Sequence, residues 1–415
     1  MADLRSEILF LSHRVPFPPN RGDKIRSHHV LRHLASLAPV HVATFADDAA
    51  DLAHDHELSA LAASHCLIQR LKSLVRAGAE ALAQGKPVSL TAFHDPALAA
   101  YVSKVLAERP VGTIYAFSGQ MGQYIPASFT GRVVFDFVDV DSAKFEAYAE
   151  AGRNPRRWID AREGRLMRRE EARLARRADV SLLVSNEEAA LFRARLLPQD
   201  RLECAVQALR NGIDSALFDR TTCDPAPAML ACSGPRLIFT GQMDYAPNVA
   251  AAQRVIERLL PAIRRKFPDA TFHVVGRSSP NVLRAHHDRD GVHIWGAVDD
   301  MRQYLAAADL ALVPLELARG VQNKVLEAMA MRLPVVLTPA AATGIGGTDQ
   351  HHYAVGDDDA ELIAQVGALL ADTDRRTAIG SAARRFVVDT LSWQATLAPL
   401  GPMLGLPTAA ARDAA

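Results

Sequence analysis

A lysine and a glutamate three residues apart, Lys324 and Glu327, are the side chains of this sequence that best suit ligand chemistry. They lie in a helix predicted over 321–331, which follows an apolar strand over 310–315 and a turn that closes on Gly320. Residues three apart on a helix share a face, and the first amides of a helix form an anion site together with its dipole. A cation and a carboxylate beside such a helix start suit a ligand with a phosphate at one end and hydroxyls at the other, such as a sugar nucleotide.

The pair has a plainer interpretation as an ordinary surface pair, which contributes only ~0.2–0.5 kcal/mol on a helix. A second apolar strand follows over 334–337, so the strand, turn, helix and strand form a parallel βαβ unit. The helix start then lies at the carboxyl edge of a sheet, where ligands of open α/β folds bind. This placement favours a functional role for Lys324 and Glu327.

Composition is typical of a soluble globular protein with two or three domains. The chain has 415 residues, of which 49% are hydrophobic and 23% are charged. Lys plus Arg and Asp plus Glu both number 47, a balance that argues against a nucleic-acid partner. The charged first residues predict no signal peptide, and no apolar run approaches the ~20 residues that span a bilayer. We therefore expect a cytoplasmic protein, and peripheral contact with the inner membrane is compatible with this expectation.

Two other classes of site are excluded by spacing. The first strand is not followed by G-x-G-x-x-G, and no G-x-x-x-x-G-K-[ST] occurs, which argues against a dinucleotide dehydrogenase and a P-loop NTPase. The cysteines lack C-x-x-C spacing and predict neither a zinc site nor a secreted disulfide framework. We expect no bound metal and four free thiols, which are Cys66, Cys204, Cys223 and Cys232.

Polar and small residues follow three strands predicted in the first half of the chain. His13 follows a strand over 8–11, Ser118 follows one over 113–117, and Asp139 and Asp141 follow one over 132–138. Strand ends of α/β folds carry ligands, so we expect these residues near a bound molecule. For the two carboxylates a solvated turn that caps the next helix is an equal alternative.

An arginine-rich helix is predicted over 152–178, with Glu163, Glu170 and Glu171 interleaved. Its mixed charge is typical of a solvated face. A second interpretation is a dock for anionic lipid or for a phosphate-bearing acceptor, helped by Trp158.

The second half of the chain repeats the α/β pattern. Strands predicted over 236–240, 271–275 and 292–295 each end near a glycine, at Gly241, Gly276 and Gly296. We predict an α/β fold with two successive domains, 1–212 and 213–385, and a helical tail, 386–415, that packs back toward the first domain. Ligand sites often lie between domains, so we expect the ligand in a cleft between the two.

Several motifs together resemble a known family. Gly241 with Pro-Asn, Val-Gly-Arg at 275–277, Gly-Ala-Val at 296–298 and KVLEAMA after Gly320 are similar to the carboxyl-terminal domain of GT-B glycosyltransferases of family 4. PFPPNRGDKIR and RNGID fit the same family. VDVDSAKF, the arginine-rich helix and VSNEEAALFR are similar to the sugar transferases of exosortase/PEP-CTERM exopolysaccharide systems. The resemblance covers nearly the whole chain.

The resemblance implies the GT-B fold, with two Rossmann-like domains, and retaining transfer of a sugar from a nucleotide-diphosphate donor to an acceptor hydroxyl. It implies that Lys324 binds the diphosphate, that Glu327 binds the ribose hydroxyls and that Arg277 reaches the diphosphate. It places the acceptor, a glycan or a lipid-linked glycan, on the side of His13, Ser118, Asp139 and Asp141. It places the donor against Gly22, Gly241, Asn248, Gly276, Ala297, Val298, Arg319, Gly320, Val321 and Gln322, with the base at Ala297 and Val298.

One position departs from the family. The family has a glutamate eight residues before the Glu of LEAMA, whereas this chain has Arg319 there. Either Arg319 joins the diphosphate site or it pairs with a negatively charged donor sugar such as a uronic acid. The alternatives to a glycosyltransferase are a sugar-nucleotide epimerase of the same fold and a non-catalytic protein that binds a nucleotide sugar.

Overall fold

The computed structural model describes residues 7–151, 156–318 and 320–406. Two compact units are present. The first runs to Asn211 and resumes at Thr396, and the second is Gly212–Ala395. The chain thus changes unit after Asn211 and after Ala395, compared with the predicted boundaries after 212 and 385.

The first unit is built on a parallel sheet in which β1 lies near the centre. The described strands lie in the order β3-β2-β1-β4-β5-β6-β7, and every neighbouring pair is parallel. Its strands are β1 (Glu7–Ser12), β2 (Val40–Ala46), β3 (Ser64–Gln69), β4 (Val111–Phe117), β5 (Arg132–Val138), β6 (Val180–Leu183) and β7 (Val206–Ala208). Helices cover both faces, so the central strands are apolar runs rather than alternating ones.

Helices alternate with these strands. They are α1 (Gly22–Leu37), α2 (Ala49–Leu52), α3 (Asp55–Leu61), α4 (Leu74–Gln84), α5 (Val88–Ala92), α6 (Pro96–Glu108), α7 (Asp141–Ala151), α8 (Arg156–Arg177), α9 (Asn186–Arg195) and α10 (Pro198–Glu203). A 3-10 turn over Gly119–Tyr124 follows β4. The last described residues pack on this unit, since Thr113 Oγ1 donates to the Leu404 carbonyl at 3.1 Å and Arg132 Nε donates to the Met403 carbonyl at 2.5 Å.

A buried ion pair joins α1 to β5. Arg26 is 1% exposed and donates from Nε and Nη2 to the Asp136 carboxylate, which is fully buried. Tyr115 donates its hydroxyl to the same carboxylate at 2.7 Å. Arg26 also donates to the Leu209 carbonyl and to Asn211 Oδ1, both at 2.8 Å. The network therefore fixes the last residues of this unit against its sheet.

The second unit is built on another parallel sheet, of order β10-β9-β8-β11-β12-β13. Its strands are β8 (Arg236–Thr240), β9 (Thr271–Val275), β10 (Val292–Gly296), β11 (Leu310–Val313), β12 (Val335–Leu337) and β13 (Ala354–Val355). The fold prediction of two parallel α/β sheets is confirmed. The core combines strand residues such as Ile238 and Leu312 with helix residues such as Val325 and Met329.

The helices of the second unit are α11 (Pro227–Leu230), α12 (Ala246–Arg254), α13 (Leu260–Arg264), α14 (Asn281–Arg284), α15 (Met301–Ala307), α16 (Asn323–Ala330), α17 (Pro339–Ala342), α18 (Asp359–Ala371) and α19 (Thr373–Phe386). A π-helical turn, Val255–Leu259, joins α12 to α13, and another, Val387–Leu391, follows α19. Two short helices end the described chain, α20 (Trp393–Leu397) and α21 (Leu400–Met403). None of the described helices is long and apolar enough to span a membrane.

The helix after Gly320 starts later than its sequence predicts. It was expected over 321–331, but α16 begins at Asn323 and ends at Ala330. Gly320 has a left-handed φ of 67° and Gln322 is extended, so the backbone enters the helix only after Gln322. Lys324 is consequently the second residue of the helix rather than one turn inside it.

Candidate functional site

Lys324 is a partly buried cation at the start of α16. Its Nζ donates a hydrogen bond of 2.5 Å to Asn248 Oδ1 and lies 4.5 Å from the centre of the Phe239 ring. Burial lowers the pKa of Lys324 to about 8, although the Glu327 carboxylate opposes this shift. A lysine with a neutral amide and a ring as neighbours gains much from an added anion. It is suited to hold a phosphate.

Glu327 lies one turn further along the same helix face. Burial raises its pKa to about 7, and the charge of Lys324 opposes this shift. Its carboxylate makes no hydrogen bond to the described residues. Unused acceptor oxygens of this kind are available to ligand hydroxyls.

Three glycine loops lie against one another at the carboxyl ends of β8, β9 and β10. The Gly241 amide donates to the Val275 carbonyl at 3.0 Å, and the Gly276 amide donates to the Gly296 carbonyl at 2.8 Å. A Cβ atom on Gly276 would lie 1.6 Å from the Gly241 carbonyl oxygen. A Cβ atom on Gly241 would lie 3.1 Å from Lys324 Nζ. The close approach of the loops therefore requires glycine at 276, and the φ of 151° favours glycine at 241.

Arg277 reaches the same loops. Its Nη2 donates to Gln242 Oε1 at 3.2 Å, and its carbonyl accepts from the Met243 amide at 2.9 Å. The Gln242 carbonyl in turn accepts from Asn248 Nδ2 at 2.8 Å. Arg277, Asn248 and Lys324 are therefore linked through one short loop. Arg277 is exposed, so its guanidinium is open to a ligand.

The remaining predicted donor residues of the second unit flank this group. Gln322 Nε2 donates to the Gly320 carbonyl at 3.1 Å, and Val321 beside it is 39% exposed. Ala297 lines a cavity of about 440 Å³ together with Trp295, and Val298 packs on the core. Arg319 lies outside the described residues.

Two residues of this group were not predicted, Phe239 and Gln242. Phe239 lies in β8, whose last residues are all buried, so the strand pattern does not show which side chain faces the lysine. Gln242 directly follows Gly241. Its position after a strand-end glycine is the signal that could have found it.

The predicted acceptor-side residues meet at the carboxyl ends of β1, β4 and β5, which are neighbours in the first sheet. His13 follows β1, and its ring stacks on Phe117 with 5.8 Å between ring centres. Ser118 is buried and donates its hydroxyl to Gln120 Oε1. The carboxylates of Asp139 and Asp141 both accept from Lys144 Nζ, at 2.8 and 3.3 Å.

His13 is the most constrained of these residues. Its Nε2 lies 3.4 Å from Asp23 Oδ2 and 3.0 Å from Arg14 Nη1, while its buried Nδ1 has no partner within the described part of the chain. Burial lowers the pKa of His13, against the opposing effect of the Asp23 carboxylate. A neutral ring with one free nitrogen can accept or donate one hydrogen bond to a ligand. Gly22, at the start of α1, has open space where a Cβ would lie.

The described residues contain no group of three His, Cys, Asp or Glu side chains that could hold a metal ion. The four cysteines form no disulfide in the structure.

A family of known proteins matches part of the second unit. Residues 234–372 match the family model described as glycosyl transferases group 1. No curated protein matches the chain. The matched residues include Gly241, Asn248, Arg277, Lys324 and Glu327.

Solved structures match nearly the whole chain. Sucrose-phosphate synthase from Thermosynechococcus elongatus is 16% identical with a TM-score of 0.58, over 99% of this chain and 100% of the other. Anabaena HepE in complex with UDP and glucose is 17% identical with a TM-score of 0.58, over 97% and 100%. WaaG, a glycosyltransferase involved in lipopolysaccharide biosynthesis, is 18% identical with a TM-score of 0.52, over 96% and 100%.

The family match confirms the predicted class of enzyme, a glycosyltransferase. The solved structures, at these identities, show the fold alone, and they confirm GT-B. Membership of family 4, the link to PEP-CTERM systems and the role of each site residue stay predictions.

Proposed function

We propose that this chain transfers a sugar from a nucleoside-diphosphate sugar to an acceptor hydroxyl with retention of the anomeric configuration. One observation carries the proposal. The partly buried Lys324, the first amides of α16 and the Glu327 carboxylate, which accepts no hydrogen bond from the described residues, lie side by side at one sheet edge. This arrangement offers positive groups to a diphosphate and an acceptor of hydrogen bonds to a ribose.

Charge development on the diphosphate defines the chemistry that these residues supply. As the bond between the anomeric carbon and the diphosphate oxygen breaks, negative charge grows on the leaving group. Lys324 and Arg277, with the helix-start amides, stabilise that charge. The bond from the acceptor oxygen forms on the same face of the sugar, and the acceptor proton passes to the departing phosphate oxygen. These groups carry the charge without a metal ion in this proposal.

The donor's other end is assigned by position. Glu327 accepts hydrogen bonds from the ribose hydroxyls. The backbone at Ala297 and Val298 binds the base, beside the cavity of about 440 Å³ that Ala297 lines. The complexes of HepE with UDP and with UDP-glucose make uridine the first nucleotide to test. His13, Ser118, Asp139 and Asp141 are assigned to the acceptor. A glycan or lipid-linked acceptor in exopolysaccharide or glycolipid biosynthesis, handled at the inner face of the membrane, is supported by the sequence resemblance.

Donor turnover tests the proposal. A thermal-shift screen of nucleotides and nucleotide sugars identifies the donor, because a ligand at a 100-fold excess over its Kd stabilises the native state by ~2.7 kcal/mol. Release of nucleotide and glycosylated acceptor is then followed with and without a chelator. Transfer with a chelator present, and an α-linked product from an α-linked donor, is the expected result. An inverted product, or no ligand among nucleotide sugars, would contradict it.

The same assay decides between the alternatives. An epimerase would convert the donor sugar without an acceptor, and a non-catalytic protein would bind the donor without turnover. Arg319→Glu separates the two roles of that arginine. If turnover of a uronate donor is unchanged in this variant, pairing of Arg319 with an acidic sugar is wrong.

A further inference from the structure

We propose that α4 and the start of α8 form a docking surface for a membrane that contains anionic lipids. The docking surface consists of Leu71, Leu74, Val75 and Leu82 with Trp158 and Ile159. This inference rests on the proposed function and says where the reaction takes place, since the surface would hold the enzyme at the membrane where lipid-linked acceptors occur. The surface extends beyond the arginine-rich helix of the sequence, because three of its six side chains lie on α4 and Leu71 lies just before that helix.

Exposure of large apolar side chains is concentrated here. Among the described residues, seven large apolar side chains are at least 70% exposed, and five of the seven belong to this surface. Leu71 is 81% exposed, Val75 84% and Trp158 71%. Exposed apolar patches of this kind mark interaction sites, whereas single exposed leucines need no explanation.

Helical spacing aligns these side chains in one stripe. Leu74, Val75 and Leu82 lie within one third of the circumference of α4. The stripe borders the buried face formed by Ala77 and Ala81, so the helix lies flat on the unit with the stripe outward. An apolar stripe on a surface helix that lies parallel to its support is the geometry of an interfacial helix.

The start of α8 continues the surface. Arg162 donates to the Ala81 carbonyl at 3.0 Å and to the Lys86 carbonyl at 3.2 Å, which fixes α8 to the end of α4. Trp158 lies one turn before Arg162 on the same helix face. Tryptophan prefers the boundary between lipid headgroups and acyl chains. The contacts of Arg162 therefore place the start of α8, which carries Trp158 and Ile159, beside the end of α4 that carries Leu82.

Charge selects anionic lipid as the occupant. The segments 70–86 and 157–165 contain seven basic residues and three acidic ones. Lys72 and Arg76 share the Glu80 carboxylate and Arg70 pairs with Asp47, so the excess of positive charge comes mainly from the other basic residues. Arg157 lies over the Trp158 ring at 5.2 Å, and Lys86 is exposed at the end of α4. Basic side chains around an apolar stripe attract the headgroups of anionic lipids. A second copy of this chain would bring the same positive charges face to face, which disfavours self-association through this surface.

Vesicle binding by the full chain tests the inference. Wild-type protein is mixed with vesicles of phosphatidylcholine alone or with phosphatidylglycerol added, and bound protein is measured by flotation. The comparison variant is Leu74→Ser with Val75→Ser and Leu82→Ser, which removes three exposed side chains. The matched control is Leu202→Ser, since Leu202 is 91% exposed on α10 of the same unit.

We expect the wild-type protein to bind only the vesicles that contain phosphatidylglycerol, and we expect salt to weaken this binding. The triple variant should bind about tenfold or more weakly, whereas the Leu202→Ser control should bind as the wild type does. Equal binding of the triple variant, or no wild-type binding, overturns the inference. The inference is also overturned if the wild type forms an oligomer that the triple substitution dissociates, because the surface would then bind a second copy.

Nucleotide release with a water-soluble acceptor is measured in parallel. It is unchanged in the triple variant if the docking surface is separate from the donor site, so failure of docking is distinguishable from failure of the proposed function.

Discussion

Lys324 Nζ and Asn248 Oδ1 lie 2.5 Å apart although the two residues are 76 positions apart in sequence. The first belongs to the start of α16 and the second to α12, and Asn248 is held in place because its Nδ2 donates to the Gln242 carbonyl. Asn248 therefore positions the lysine without neutralising it. The positive charge stays available for a diphosphate.

Lys324→Ala should strongly reduce transfer. If Lys324 stabilises the leaving diphosphate, its loss lowers kcat by about 10²–10³-fold and weakens binding of the nucleotide diphosphate. Steady-state kinetics and calorimetric titration measure the two effects. Lys266→Ala is the matched control, because Lys266 also lies over a phenylalanine ring, that of Phe267, outside the site. Unchanged activity of Lys324→Ala would show that the site is wrongly assigned.

Glu327→Gln should stabilise the free protein above pH 7 and weaken donor binding. Burial raises the pKa of Glu327 from 4.5 to about 7, so the folded state binds more protons than the unfolded state between these values. The contribution of Glu327 to the free energy of unfolding is fully present below pH 4.5 and is lost as the pH rises through 7. The glutamine does not ionise, so the variant avoids this loss, on the order of 1 kcal/mol or more.

Melting temperatures of wild type and Glu327→Gln near pH 4.5 and well above pH 7 measure this difference. Glu316→Gln is the control, since Glu316 is exposed outside the predicted site. A lower melting temperature of Glu327→Gln above pH 7 would mean that the carboxylate has a stabilising partner in the free protein. Donor affinity falls in Glu327→Gln and not in Glu316→Gln if Glu327 accepts from the ribose.

Asp136→Ala should destabilise the first unit by about 3–5 kcal/mol, because it leaves the guanidinium of Arg26 buried without its partner. Tyr115→Phe should cost only about 1 kcal/mol, since it removes one hydrogen bond and keeps the ion pair. Urea unfolding measures both variants. Similar values for the two would show that Arg26 finds water or another acceptor when Asp136 is absent.

Gly276→Ala should damage the donor site, whereas Gly22→Ala should not affect stability. An alanine Cβ at 276 would lie 1.6 Å from the Gly241 carbonyl oxygen, and the backbone there has a φ of 153°. We expect a loss of more than ~1 kcal/mol together with loss of donor binding. At Gly22 a Cβ meets open space, so thermal melting stays unchanged. Reduced transfer in Gly22→Leu with unchanged melting would indicate that a ligand approaches this backbone.

The sequence predicts strand ends and loop glycines well because both depend on local chemistry. An apolar run followed by glycine places Gly241 and Gly276 at the sheet edge without knowledge of the rest of the chain. Contacts between distant elements have no such local signal. The pairing of Arg26 with Asp136 joins residues 110 positions apart. Nothing near either residue in sequence indicates it.

The contact of Phe239 with Lys324 and the exposed leucines of α4 both depend on which way a side chain faces, and the residue pattern does not show this. Phe239 supports Lys324 from a strand whose last four residues are all buried, so the residue pattern does not show which side chain faces the lysine. The leucines of α4 are apolar residues in an alanine-rich helix, yet Leu74 and Leu82 are 70% and 71% exposed. The packing of Ala77 and Ala81 decides the orientation of this helix, because small residues allow it to lie close to the unit.

His13→Gln should lower transfer by about tenfold while leaving donor binding unchanged, because His13 is assigned to the acceptor and makes no proposed contact with the diphosphate. Its Nδ1 is buried without a partner among the described residues, and burial lowers its pKa, so the neutral ring has one nitrogen available to an acceptor hydroxyl. Nucleotide binding and glycosyl transfer are measured on the same preparation, with His33→Gln as control because burial also lowers the pKa of His33. A fall in donor affinity that matches the fall in transfer would place His13 with the donor, and equal transfer in both variants would remove it from the site.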